Sequence, residues 1–216
     1  MKPQYAVLTG DFVKSRELSV EQLQGAIGTL RQAVATFEER YPGSVRGGVA
    51  VFRGDSWQLL LSRPELALRC ALYIRARLYR MHKLQTKLGI GVGDVAHIDE
   101  GNITASTGPA FEHSGACLNR LEETNPSRRR YLMDVTGQSP DAFFPVAMHF
   151  LDRVAQSWTQ PEAYAVSGAL LGHTQEAIAA GAEEPLSQQN IAKALLRAEW
   201  QTVEECVQTW ESISEG

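Results

Sequence analysis

The feature that most constrains this chain is the order of its first five regular segments. Tyr5-Ala6-Val7-Leu8-Thr9 is a short β-prone run that ends at Gly10-Asp11. A helix-periodic stretch follows, with Leu23, Ile27, Leu30, Val34 and Phe37 on one face. Ser19 and Gln22 form a capping-box pattern at its start, and Pro42-Gly43 stops it. Val49-Ala50-Val51-Phe52 and Trp57-Gln58-Leu59-Leu60-Leu61 then flank Arg53-Gly54-Asp55-Ser56, which predicts a β-hairpin with Gly54 at a positive φ. A second helix is expected from a Ser62/Glu65 capping box to about His82, its buried face marked by Leu66, Cys70, Tyr73, Ile74 and Met81. Lys87-Leu88-Gly89-Ile90-Gly91-Val92-Gly93-Asp94 closes the series as a strand carrying three glycines. Strand, helix, hairpin, helix, strand is not the regular alternation of a parallel α/β sheet. It predicts an α+β domain of ferredoxin-like type, an antiparallel sheet with its helices on one face.

Beyond this point the texture changes. Gly101 to Thr107 is expected to be irregular, residues 116–123 a short helix, and Arg128-Arg129-Arg130-Tyr131-Leu132-Met133 the beginning of an edge strand. From about Asp141 the pattern is helical, with helices expected near 142–156, 161–171, 174–180, 187–198 and 200–213. Trp158, Trp200 and Trp210 are expected in the core of this part, given the area a tryptophan buries. Charge divides at the same place. Residues 139–216 carry three basic residues (Arg153, Lys193, Arg197) against eleven acidic ones, a net charge of −8. Residues 1–138 carry a net +4. A two-part organisation, 1–138 and 139–216, is the expectation.

Composition narrows the class. Hydrophobic residues make up 44% and charged residues 21%, as in ordinary globular chains, and no apolar run approaches the roughly 20 residues a membrane helix needs. The first residues run into a strand rather than a signal peptide. Cys70, Cys117 and Cys206 are odd in number, far apart, and outside any zinc-ligand spacing, so reduced thiols and a cytoplasmic location are expected, with no membrane partner. Arg69, Arg75, Arg77 and Arg80 fall mostly off the buried face of the second helix and are expected on its solvated side.

Two carboxylates carry the chemistry. Asp11 ends the first strand and Asp55 sits at the hairpin tip, so an antiparallel sheet can bring both to one edge. Two hard oxygen ligands, with phosphate oxygens and water, are what Mg²⁺ asks for. On spacing alone both also serve as ordinary turn residues, because aspartate is common in turns.

The ordered set of strand–Gly10-Asp11, helix, hairpin Phe52-Arg53-Gly54-Asp55-Ser56-Trp57, helix and Gly89-Ile90-Gly91-Val92-Gly93 resembles the catalytic domain of class III nucleotidyl cyclases over roughly residues 4–135. The hairpin is also similar to that of the GGDEF diguanylate cyclases. The resemblance implies a nucleotide and metal site at Asp11, Gly54 and Asp55, with Mg²⁺ on the two aspartates, and a homodimer. It also implies a transition-state arginine, for which Arg120 is the candidate. The departures are specific. Ala50 and Val51 stand where a base-reading lysine is expected, Ala116 where an asparagine precedes the arginine, and Pro109 near the place of a base-reading aspartate. Ser56-Trp57 replaces the Glu-Phe of the GGDEF hairpin, which here has one glycine where two are usual. Phosphoryl transfer rests on positioning and charge stabilisation, so these losses imply binding without efficient turnover.

Thr174 to Ala179, a turn, and Ser187 to Leu196 have helix-turn-helix texture. Gln188, Gln189, Asn190, Lys193 and Arg197 would face outward, where Gln and Asn side chains can meet adenine edges. Taken together, the chain resembles the SatD family. The stretches that carry this are Tyr5–Asp11 with Ser15-Arg16, Arg53–Leu59, Gly89–Gly93, Ser106-Thr107-Gly108 and Ser187-Gln188-Gln189. The resemblance implies a cyclase-like domain joined to a C-terminal helix-turn-helix, and so a ligand-responsive regulator that binds DNA or a protein partner. Two alternatives stay open: a metal-dependent, nucleotide-processing enzyme, and a non-catalytic interaction or dimerisation protein. The acidic C-terminal half weighs against DNA, since duplex affinity comes largely from neutralising phosphates. So does the turn, which is long for the motif and carries Glu183-Glu184.

Overall fold

The computed structural model describes residues 3–123, 131–136 and 144–214. Its N-terminal part is a five-stranded mixed sheet built from β1 (Tyr5–Phe12), β2 (Val45–Phe52), β3 (Ser56–Leu61), β4 (Thr86–Gly93) and β5 (Met133–Thr136), in the order β2-β3-β1-β4-β5. The first four strands are antiparallel, and β5 pairs parallel to β4. With α1 (Val20–Arg40) between β1 and β2 and α2 (Ala67–His82) between β3 and β4, this is the split βαβ arrangement expected from the sequence.

Alternation along the strands separates two faces. Ala6, Leu8 and Phe12 of β1, Trp57, Leu59 and Leu61 of β3, and Leu88, Ile90 and Val92 of β4 join one buried cluster with α1 and α2. Ser19 caps α1 as expected: its hydroxyl accepts from the Gln22 N–H at 3.2 Å while its own N–H donates to Gln22 at 2.8 Å. The opposite face is not bare, which departs from the expectation of helices on one side only. Here α3 (Pro109–Glu123), seven residues longer at its start than the sequence suggested, lies across β4. A Cβ on Gly91 would sit 2.3 Å from the Ala110 carbonyl oxygen and from the Ser114 nitrogen; one on Gly89 would sit 2.4 Å from the Ser114 carbonyl oxygen. The glycines of β4 thus let a helix backbone rest directly on the strand.

The C-terminal helices are α4 (Phe144–Ser157), α5 (Gln160–Leu170), α6 (Gln175–Ala180), α7 (Gln188–Arg197) and α8 (Trp200–Ser214). They match the expected helices to within a few residues. Of these, α5 and α8 pack on α2, α4 packs on β5, and α6 and α7 pack on α5; one hydrophobic cluster runs without a break from Ala6 in the sheet to Trp210 in α8. The proposed boundary at 138/139 and the Arg128-Arg129-Arg130 run lie outside the described residues. Trp158 and Trp210 are buried, donating to the Ala198 and Pro64 carbonyls, whereas Trp200 is only half-buried.

Three details of α2 correct the sequence expectation. Its arginines are not a solvated face. Arg75 is buried and donates to Asp152 of α4 at 2.7 Å, Arg69 donates to Glu211 of α8 at 2.6 Å, and the Arg80 guanidinium lies 4.5 Å from the Tyr164 ring of α5. The second helical layer supplies acids and an aromatic ring where water was expected. Met81, expected inside, is 48% exposed. The Ser62 capping box does not form: Ser62 donates to the Gly43 and Ser44 carbonyls, and Pro64–Leu66 is a 3-10 turn entering α2.

Candidate functional site

The α3-side face of the sheet carries a row of polar residues at its centre. Cross-strand register sets Asp11 of β1 opposite Ser56 of β3 and Lys87 of β4, and Thr9 opposite Gln58. Opposed residues project to the same face. The Ser56 hydroxyl donates to Asp11 at 3.0 Å. Asp55 belongs to the three-residue turn between β2 and β3, and its carbonyl oxygen receives the Phe12 N–H at 3.2 Å, which holds the hairpin tip against the end of β1. The Asp55 carboxylate in turn accepts the hydroxyl of Ser15, from the 3-10 turn Ser15–Glu17 that follows β1. Asp11, Ser15, Asp55 and Ser56 are all half-buried. The topology therefore brings the two predicted carboxylates together at one end of the sheet, each with a serine hydroxyl on it.

The turns that carry them are conformationally unusual. Gly54 has φ 94°, as its place in the hairpin predicted. Arg53 before it has φ 52°, and Lys14, in the turn after β1, has φ 58°. For L-residues the left-handed region costs about 1–2 kcal/mol. Both turns thus hold an exposed cationic residue in this region within two positions of a site residue. Nothing in the sequence signalled that; a motif search sees only Gly54.

The donor set suits a hard cation: one carboxylate from the end of β1, one from the β2–β3 turn, and two hydroxyls. Among the described residues no cluster of three or more His, Cys, Asp or Glu could hold a metal by itself. An ion here would therefore take part of its shell from water or from a phosphate.

Arg120, the candidate transition-state arginine, is committed elsewhere. From the last turns of α3 it donates to Asp134 at 2.7 Å and to Thr136 at 2.7 Å on β5, and reaches the Cys117 sulfur at 3.2 Å. The fold places β5 two strands from β1, with β4 between them.

The residues proposed for DNA or partner contact lie on α7 and are all exposed, while Ile191, Ala194 and Leu195 are buried beneath them. Three of the five have internal partners, Gln188 donating to Gln175 of α6 at 3.5 Å. Asn190 accepts from the Ser187 hydroxyl at the helix N-cap, and Arg197 donates to Glu162 of α5 at 3.1 Å. Asn190, Arg197, Tyr164 and Arg80 also line a groove of about 470 Å³ between α5 and α7.

No family model and no curated relative matches the chain. Among solved structures, a bacterial light-regulated adenylyl cyclase is similar over 72% of this chain and 81% of its own, with 16% sequence identity and a TM-score of 0.45. At that distance the likeness says nothing about ligand or activity.

Proposed function

We propose that the sheet edge at Asp11 and Asp55 binds the phosphates of a nucleotide together with Mg²⁺, and that the protein is a ligand-responsive regulator rather than an enzyme. The observation that supports the site is the tie between the end of β1, with the turn after it, and the β2–β3 hairpin through Ser15–Asp55 and Ser56–Asp11, which puts both carboxylates at one half-buried end of the sheet. A bound Mg²⁺ would neutralise the two carboxylates and offer its open positions to phosphate oxygens. Lys87, on the Asp11 rung, adds a cation within reach of the same phosphates.

Binding without turnover follows from the rest of the constellation. Arg120 is held by Asp134 and Thr136 on β5, and the residues that would read a base in a cyclase are replaced by Ala50, Val51 and Pro109. A cyclase-like scaffold in this state serves as a sensor. Its output is the C-terminal helical layer, docked on α2 through Arg69, Arg75 and Arg80, with α7 presenting Gln188, Gln189 and Lys193 to DNA or to a protein partner. A homodimer is part of this reading.

Thermal unfolding with ATP, GTP, cyclic mononucleotides and cyclic dinucleotides, each with and without Mg²⁺, tests it. A ligand at 100 times its Kd stabilises the fold by about 2.7 kcal/mol. A Mg²⁺-dependent rise in Tm with one nucleotide, lost in Asp55→Ala, is the expected result. Fluorescence anisotropy on duplex DNA with and without that nucleotide then reads the output. No shift across the panel overturns the nucleotide site.

A further inference from the structure

The site's polar row continues past the carboxylates as a hydrogen-bonded chain whose direction follows from counting protons. Ser114 of α3 has one hydroxyl proton, and it goes to the Phe111 carbonyl at 3.0 Å. Ser114 therefore accepts in its 2.8 Å contact with Thr9, and the single Thr9 proton is the one it accepts. With that proton committed, Thr9 meets the Gln58 side chain, 3.1 Å away, only as an acceptor. Gln58 must then turn its NH₂ group toward Thr9 and its carbonyl oxygen the other way. Thr9 and Ser114 are buried and Gln58 is half-buried. Among the described residues the Gln58 carbonyl oxygen has no hydrogen-bond partner. The row is held in place by β4: the helix that supplies Ser114 comes this close because Gly89 and Gly91 have no side chains.

We infer that Gln58 is the specificity residue of this site and that it recognises the base of a nucleotide. The inference rests on the proposed phosphate site. Gln58 is two positions from Ser56 along β3 and on the same face, about 7 Å from the Asp11 rung, a span that a ribose fills between phosphate and base. Its outward carbonyl and its second N–H form an acceptor–donor pair. The complement is a donor beside an acceptor, which nucleobase edges present in fixed order and which phosphates, having no donor, lack. A glutamine free to flip would offer either end. One fixed by Thr9 offers a single order of acceptor and donor, so the site distinguishes a nucleoside triphosphate from a bare polyphosphate.

Isothermal titration of the whole chain with Mg²⁺ and either inorganic tripolyphosphate or ATP, GTP, CTP and UTP tests this. Wild type is expected to bind at least one nucleoside triphosphate about tenfold or more tighter than tripolyphosphate. Gln58→Met keeps the volume and removes the amide; it should bring that ratio close to one and leave tripolyphosphate affinity unchanged, which a merely structural role would not do. Thr9→Val keeps the shape and frees the amide, and should lower the ratio without abolishing it. Asp55→Asn should weaken tripolyphosphate and nucleotide alike. If tripolyphosphate and nucleotides bind in an Asp55-dependent way and Gln58→Met leaves their ratio unchanged, the inference is overturned and the phosphate site stands. If neither binds wild type, the phosphate site is overturned and the inference falls with it.

Discussion

Ser15 donates its hydroxyl proton to the carboxylate of Asp55, 40 residues further along the chain, and so ties the turn after β1 to the tip of the β2–β3 hairpin. With Ser56 on Asp11, the two carboxylates are linked to both turns at once. Ser15→Ala should leave the fold intact, because it removes one half-buried hydrogen bond worth about 0.5–1.5 kcal/mol. It should also loosen the hairpin tip and weaken Mg²⁺-dependent nucleotide binding severalfold. Titration calorimetry beside a urea unfolding curve separates the two effects.

Gly91→Ala tests the contact between α3 and β4. The new methyl group would meet the backbone at Ala110 and Ser114, neither of which can move without shifting the helix. Overpacking of this kind costs about 1–3 kcal/mol, and more where backbone blocks the way. The expected outcome is a loss of about 2–3 kcal/mol in chemical denaturation.

Arg75 and Asp152 form an ion pair whose side chains are 2% and 0% exposed, and its two partners are unequal. Asp152 also accepts from the Leu132 N–H at 2.7 Å and from Gln156 at 2.8 Å, whereas among the described residues Nε and Nη2 of Arg75 have no partner. Removing Asp152 strands a buried cation and two donors. Removing Arg75 leaves a carboxylate that is still hydrogen-bonded. Asp152→Ala should therefore cost about 3–5 kcal/mol and Arg75→Met distinctly less, as read from guanidinium unfolding midpoints.

Burial pushes the Cys117 thiol from an ordinary 9.0 up to about 11, and burial raises Cys70 further. Cys206 is half-buried, and burial followed by the neighbouring Glu205 raises it less. A raised thiol pKa favours the folded state while both states are protonated. That stability is complete below about pH 9 and is lost as pH rises toward 11. Stability curves between pH 8 and 11 should fall accordingly. At pH 8 a thiol reagent should label Cys206 first, and Cys70 and Cys117 only as the chain unfolds.

Arg120→Ala should change stability by less than about 1 kcal/mol, since its pair with Asp134 is half exposed, and should leave nucleotide affinity unchanged. A large loss of affinity in titration calorimetry would return Arg120 to the site.

Much of this was legible in the residues. The 2.0 and 3.6 periods fixed the split βαβ order, Ser19 its first helix, and the paired Gly-Asp turns the place of the carboxylates. What escaped depended on partners distant in sequence. The arginines of α2 looked solvated because helical periodicity cannot show that Asp152, Glu211 and Tyr164 arrive from a second layer. The start of α3 escapes a sequence reading because Ala110 and Phe111 gain their apolar contact from Val7, Leu60 and Ile103, on three other segments. Gln58 stood inside the hairpin motif, but its role depends on Thr9 and Ser114, 49 residues before it and 56 after it.

The burial of α2 on both sides has a consequence for how the chain can be taken apart. A helix between two layers is a shared wall, and neither room stands without it. Expressed alone, the sheet half would turn Arg69, Arg75 and an apolar helix surface toward water. The helical half would expose Asp152, Glu211 and the ring of Trp210. The two halves are then a single cooperative body, and whatever steadies one side of the wall steadies what leans on the other.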